Sequence, residues 1–153
     1  MPANSLTRIA WKALIIVVIF NAASAVGGSI AMLFTDGLGM PTSFLTNSPF
    51  TSFFLPALIL LVVFGGTQTL AVGMLLRHRE SSLFWTAIAG FAMIIWILTE
   101  IVIIQGFSGL QALYFTTGVL ELALVLALLG IVSWLPRIEI AVGQKRGMLH
   151  DEV

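Results

Sequence analysis

Four uninterrupted apolar stretches limit what this chain can fold into more than any motif does. They run from about Ala13 to Phe34, Phe53 to Leu76, Leu83 to Ile104 and Ala112 to Leu135. Each holds 22 to 24 residues, enough to cross about 30 Å of hydrocarbon at about 1.5 Å per residue. Helices are the expected spanning element, because lipid offers no partner for a free backbone group. A β-barrel needs alternating strands of about ten residues, and no such alternation is present.

Composition agrees. A soluble domain is about one quarter charged, whereas only 9% of these 153 residues are charged and 59% are hydrophobic. An ordinary soluble enzyme, a disordered tail and a nucleic-acid binder built on a basic patch are all excluded. The expected fold is an all-α membrane protein: one antiparallel four-helix bundle spanning residues 1–153, with the lipid bilayer as its first partner.

The distribution of charge predicts orientation. Arg8 and Lys12 precede the first span, Arg77 and Arg79 lie between the second and third, and Arg137, Lys145 and Arg146 follow the fourth. Segments 35–52 and 105–111 hold no Lys or Arg. The positive-inside rule then puts both termini in the cytoplasm, and the expected location is the plasma (inner) membrane. Trp11, Trp85 and Trp134 fall at the same interface and Tyr114 near the other, as an aromatic belt requires.

The N-terminus admits a rival reading. Arg8, Lys12, the run Ala13 to Phe20 and Ala23-Ser24-Ala25 imitate a signal peptide with its cleavage site. Apolar and small residues continue to Phe34, which favours an uncleaved first helix. An intact mass corresponding to a chain beginning at Val26 overturns that expectation.

The connections differ in character. Ser81 or Ser82 is expected to cap the third helix after the charged turn 77–80. Residues 105–110 form a short loop between the third and fourth helices. Segment 35–52 mixes turn formers with Leu38, Met40, Phe44, Leu45 and Phe50. It is expected to lie at the outer interface or over the bundle mouth, with a helical turn after Pro41. Pro56 falls early in the second helix, where its ring is tolerated. Residues 136–153 form a charged tail.

Small residues crowd the first helix: Ala23-xxx-Gly27-xxx-Ala31 and Ser24-xxx-Gly28 have the spacing that lets helices approach closely in lipid. Gly65, Gly66 and Gly73 do the same on the second. Packing inside the bundle is the preferred reading of Gly27, Gly28, Gly65 and Gly66, with oligomerisation through that face as the second.

Polar residues within the spans carry the functional signal, since an acid at bilayer depth costs about 2.5–3.5 kcal/mol. Gln111, Tyr114, Thr117, Gly118 and Glu121 recur at spacings of three and four and form one stripe on the fourth helix. Glu100 shares a face of the third helix with Trp96, and Gln105 follows. Counted from the outer ends, the two acids differ in depth by about 6–7 Å, which predicts one shared ligand-binding or proton-handling site. Asn21 and Gln68, each about eight residues from the inner end, predict a second polar layer, bonded across the helices and structural. For Glu100 and Glu121 both a functional and a structural role stay open.

No cofactor or metal is expected. There is no Cys, and the two His residues, His78 and His150, lie in charged segments outside the spans. No catalytic triad, phosphate loop or dinucleotide fingerprint is present.

Gly27-Gly28, Ser48-Pro49-Phe50, Pro56 with Ile59-Leu60, Gly65-Gly66, Trp96-Ile97 and Gln111-x-Leu-Tyr114 with Gly118 resemble segments of uncharacterised small bacterial four-helix integral membrane proteins. The general layout is similar to the DoxX-like group. The resemblance implies a compact four-helix membrane domain and transfers no catalytic residue.

Three functions follow in order of preference. The first is a non-enzymatic accessory or scaffold component, bound to a protein partner or to copies of itself. The second is a small-ligand or proton/cation-handling protein working through Glu100, Gln105, Gln111, Tyr114, Thr117 and Glu121. The third is a lipid- or quinone-modifying enzyme, for which only the acids are available.

Overall fold

The computed structural model describes residues 5–130. The expected helical residues 131–135, Trp134, and the tail 136–153 with Arg137, Lys145, Arg146 and His150 lie outside the described residues. Within them the protein is all-helical, and four helices are long and apolar enough to cross a membrane: α1 (Ser5–Thr35), α2 (Phe54–Leu76), α3 (Ser82–Ile104) and α4 (Gly109–Leu128). This is the architecture of a multi-pass membrane bundle.

Two helix starts depart from expectation. α1 begins at Ser5, eight residues before Ala13. The apolar stretch marks where hydrocarbon is crossed, whereas the helix continues through Thr7, Arg8 and Lys12 and reaches about 46 Å at 1.5 Å per residue. α4 begins at Gly109 rather than Ala112, because Ser108 and Gln111 close a capping box ahead of the apolar run. Its described part ends at Leu128. There Gly130 takes φ +70° and its N–H bonds to the Ala127 carbonyl, a left-handed glycine stop.

α2 contains a wide, π-type turn over Leu60–Gly65. Its first turn accommodates Pro56, whose missing N–H would have no helical partner there. At α3, Ser81 is the capping position, yet its side chain makes no capping bond. Its ψ of 4° leaves the extended conformation that aims a hydroxyl at the third amide. Ser82 is buried, and its carbonyl accepts from the Thr86 hydroxyl at 2.8 Å.

The helices pack in a ring, with α1 against α2 and α4, and α3 against α2 and α4. Gly90 and Gly118 make the α3–α4 contact close: a Cβ on either would lie 3.4 Å from the other's carbonyl oxygen. Of the four glycines expected to pack the bundle, only Gly65 does so closely, beneath Val26 of α1. Ala23 and Gly27 face outward, and nothing lies within 4 Å of a Cβ built on Gly27, Gly28 or Gly66.

Segment 36–53 folds onto the bundle. A run of positive φ from Asp36 to Gly39 reverses the chain, and Gly37 is pressed so tightly on the Phe53 ring that a Cβ there would overlap it. A 3-10 turn over Thr42–Leu45 follows Pro41 and packs against α3, with Leu45 buried. Elsewhere, Ala10, Leu14, Val18, Ala71, Leu75, Leu83, Ala89, Val125 and Leu128 form an apolar core shared by all four helices.

Candidate functional site

Three completely buried polar side chains come together from α1, α2 and α4: Asn21, Gln68 and Glu121; Ser29 of α1 and Thr86 of α3 are equally buried but donate to carbonyls of their own helices. Buried positions on α1 recur as Leu14, Val18, Asn21, Ala22 and Ala25, so Asn21 lies on the stripe facing inward. On α4 they recur as Gln111, Gly118, Glu121, Val125 and Leu128. Gln68 follows the wide turn of α2 and shares a face with Ala71 and Leu75.

The three side chains form one cluster. Asn21 Nδ2 donates to Glu121 Oε2 at 3.0 Å, and Gln68 Nε2 donates to the same oxygen at 3.0 Å. Glu121 therefore ties its own helix to α1 beside it and to α2 across the bundle. Asn21 and Gln68 both bond to Glu121. Three oxygens are left over: Glu121 Oε1, Asn21 Oδ1 and Gln68 Oε1 are buried with no hydrogen-bond partner among the described residues. Amide bond lengths keep both amide oxygens within about 5 Å of Glu121 Oε2. The cluster is thus rich in acceptors and short of a donor, a costly arrangement in a low-dielectric interior.

Glu100 belongs to a different cluster. Trp96 Nε1 donates to its Oε1 at 2.6 Å, and the buried Gln111 lies beside the same carboxyl. Trp96 in turn packs on Phe64 in the wide turn of α2, with centroids 5.3 Å apart. Among the described residues no hydrogen bond joins the two acids, which are held by different partners. Measured from Gly109, Glu121 is twelve residues into α4. Asn21 is fourteen residues from Thr35 and Gln68 fourteen from Phe54, so the three share a depth of about 18–21 Å. Glu100 is only four residues from Ile104. Counted from these helix ends, the two acids differ in depth by eight residues, about 12 Å.

The remaining stripe residues have local partners. Gln111 Oε1 accepts from the Ser108 backbone N–H at 2.9 Å, and the Gln111 N–H donates to Ser108 Oγ at 3.3 Å. Its first role is therefore to cap α4, a role its spacing of three from Ser108 would have revealed. Tyr114 stacks on Phe20 at 6.4 Å, and the Thr117 hydroxyl donates back to the Tyr114 carbonyl at 3.1 Å. Gln105 ends α3 in a left-handed conformation and is exposed.

Spacing arguments also missed two features. Gly90 carries no polar group to mark it in the sequence, yet it meets Gly118 at a close α3–α4 approach. His78 has φ 49° and stacks nearly parallel on Trp11, with centroids 5.5 Å apart. No local pattern announces that contact, which joins residues 67 positions apart.

No set of three His, Cys, Asp or Glu side chains able to hold a metal occurs among the described residues. No family model, curated protein or solved structure matches the chain.

Proposed function

We propose that this chain is a non-enzymatic component of a membrane assembly, a small bundle that associates with a protein partner or with copies of itself. The observation that carries this reading is the complete burial of Asn21, Gln68 and Glu121 with both amides on one carboxylate oxygen. Such a cluster acts as a brace, fixing helix register from inside a bundle that hydrophobicity alone cannot order in lipid. The outward position of Ala23 and Gly27 supports association through α1.

In this reading the helices run antiparallel, with both termini cytoplasmic in a plasma (inner) membrane. Arg8 and Lys12 on α1 share one end with Arg79 beyond α2, around a common cavity, and the Trp11–His78 stack pins that end together. The likeness in layout to DoxX-like proteins belongs to the same proposal. Purification in mild detergent tests the assembly. The chain should be recovered as an oligomer or with a partner; recovery as a clean, functional monomer sinks the reading.

A second reading, proton or cation handling at Glu121, is favoured by the three unpartnered oxygens, which invite a proton or a small desolvated cation. Here Glu121→Gln should abolish ion-coupled binding or transport while leaving the bundle folded. Wild-type transport by that variant ends it.

A further inference from the structure

We propose that the cavity between the start of α1, the turn after α2 and the end of α4 binds the phosphate headgroup of an anionic phospholipid. The proposal rests only on the four helices crossing a membrane, and not on which assembly the protein joins. The cavity measures about 470 Å³, within the range of small-ligand sites. Among the described residues Arg8, Lys12 and Arg79 line it against one carboxylate, Glu80, so its charge favours an anion.

An independent observation also calls for an acceptor. Trp11 lines the same cavity, and its indole Nε1 is buried with no hydrogen-bond partner among the described residues. An indole can only donate, so a headgroup oxygen that displaces the side chains covering Nε1 would satisfy it. The ring cannot readily turn away, because His78 stacks on it at an interplanar angle of 8°. That stack is held by a left-handed backbone at His78, a strained conformation for a residue with a side chain.

The apolar part of the lining distinguishes a lipid from a free anion. It includes Leu83 and Leu128, which are buried, and Leu129, which is exposed. A phosphate seated among the cations would place a glycerol backbone against these leucines and lead its acyl chains toward the bilayer. Basic pockets between helix ends at a membrane surface recognise lipid headgroups by this combination of charge and apolar support.

Native mass spectrometry of the full chain, released from mild detergent with phosphatidylglycerol or phosphatidylcholine of matched acyl chains, tests the site. Wild type should retain phosphatidylglycerol at least about tenfold better than phosphatidylcholine. Arg8→Gln and Arg79→Gln should each lower that retention about fivefold, equivalent to about 1 kcal/mol per charge. Trp11→Phe, which keeps the ring and removes the N–H, should lower it severalfold. Arg77→Gln, one residue from the stacked His78 but outside the cavity lining, should leave retention unchanged. Circular dichroism and thermal unfolding of each variant confirm that it is folded. Equal retention of the two lipids overturns the proposal, as does an Arg77→Gln effect as large as that of Arg79→Gln. Displacement of the lipid by an equal concentration of inorganic phosphate also overturns it, because the site would then be one for soluble anions.

Discussion

A carboxylate that accepts two amide N–H groups on one oxygen behaves differently under two substitutions of similar size. Glu121→Gln retains an acceptor oxygen and adds an NH2 group, the donor that Asn21 Oδ1 and Gln68 Oε1 lack. Its stability should stay within about 1 kcal/mol of wild type or rise. Glu121→Leu leaves the Asn21 and Gln68 N–H groups buried without an acceptor, and should cost about 1–3 kcal/mol. Thermal unfolding in detergent separates the two, and a Leu variant as stable as wild type would show that the cluster is no brace. The identities of these three residues were legible in the sequence, because polar side chains in apolar spans stand out. Their grouping was not. In the sequence Glu100 and Glu121 lie nearest the outer ends of their spans, and Asn21 and Gln68 nearest the inner ends. Counting all from one end requires knowing where α4 begins, which a side chain–backbone cap at Ser108 decides rather than hydropathy.

Helices in lipid are held by close contact more than by expulsion of apolar surface from water, so glycines matter where backbones meet. At Gly118 a Cβ would lie 3.1 Å from Ile94 Cγ1 and 3.4 Å from the Gly90 carbonyl, and that backbone oxygen cannot step aside without moving α3. Gly118→Val should cost about 1–3 kcal/mol through overpacking. Gly27→Ala meets nothing within 4 Å and should leave the folded bundle intact, or gain up to about 1 kcal/mol of helix propensity. If α1 is an association face, Gly27→Leu should shift the oligomer distribution seen by size-exclusion chromatography with light scattering while thermal unfolding of the bundle is unchanged. A destabilised Gly27→Ala bundle would instead put Gly27 inside. Ser108→Ala removes half of the α4 capping box and should cost about 1 kcal/mol. The existence of all four helices was legible from length and composition alone. Which small residues face inward was not, because the small-xxx-small spacing is the same whether a helix meets its neighbour in the bundle or a second molecule. The wide turn at Leu60–Gly65 was equally hidden, since an extra residue in a turn leaves an apolar run apolar.

At the scale of the molecule, orientation is the property on which the proposed function depends, and the chain is well suited to measuring it. It contains no Cys, so any label on a single introduced thiol reports one position. Ser43 lies exposed in the turn over Thr42–Leu45, and Ser81 lies exposed between α2 and α3. Arg77 and Arg79 line one cavity with Ser81, and Arg8 and Lys12 line another with Arg79, whereas segment 36–53 carries Asp36 and no Lys or Arg. Holding cationic ends in the cytoplasm is favoured during insertion, and the bias is read from short loops such as these. A membrane-impermeant maleimide added to intact cells should therefore label Ser43→Cys and leave Ser81→Cys untouched until the membrane is opened. The reverse pattern would invert the protein and put the proposed lipid site in the outer leaflet. Labelling of both positions from outside would be incompatible with α2 crossing the membrane once between them, and would remove the antiparallel arrangement on which the rest depends.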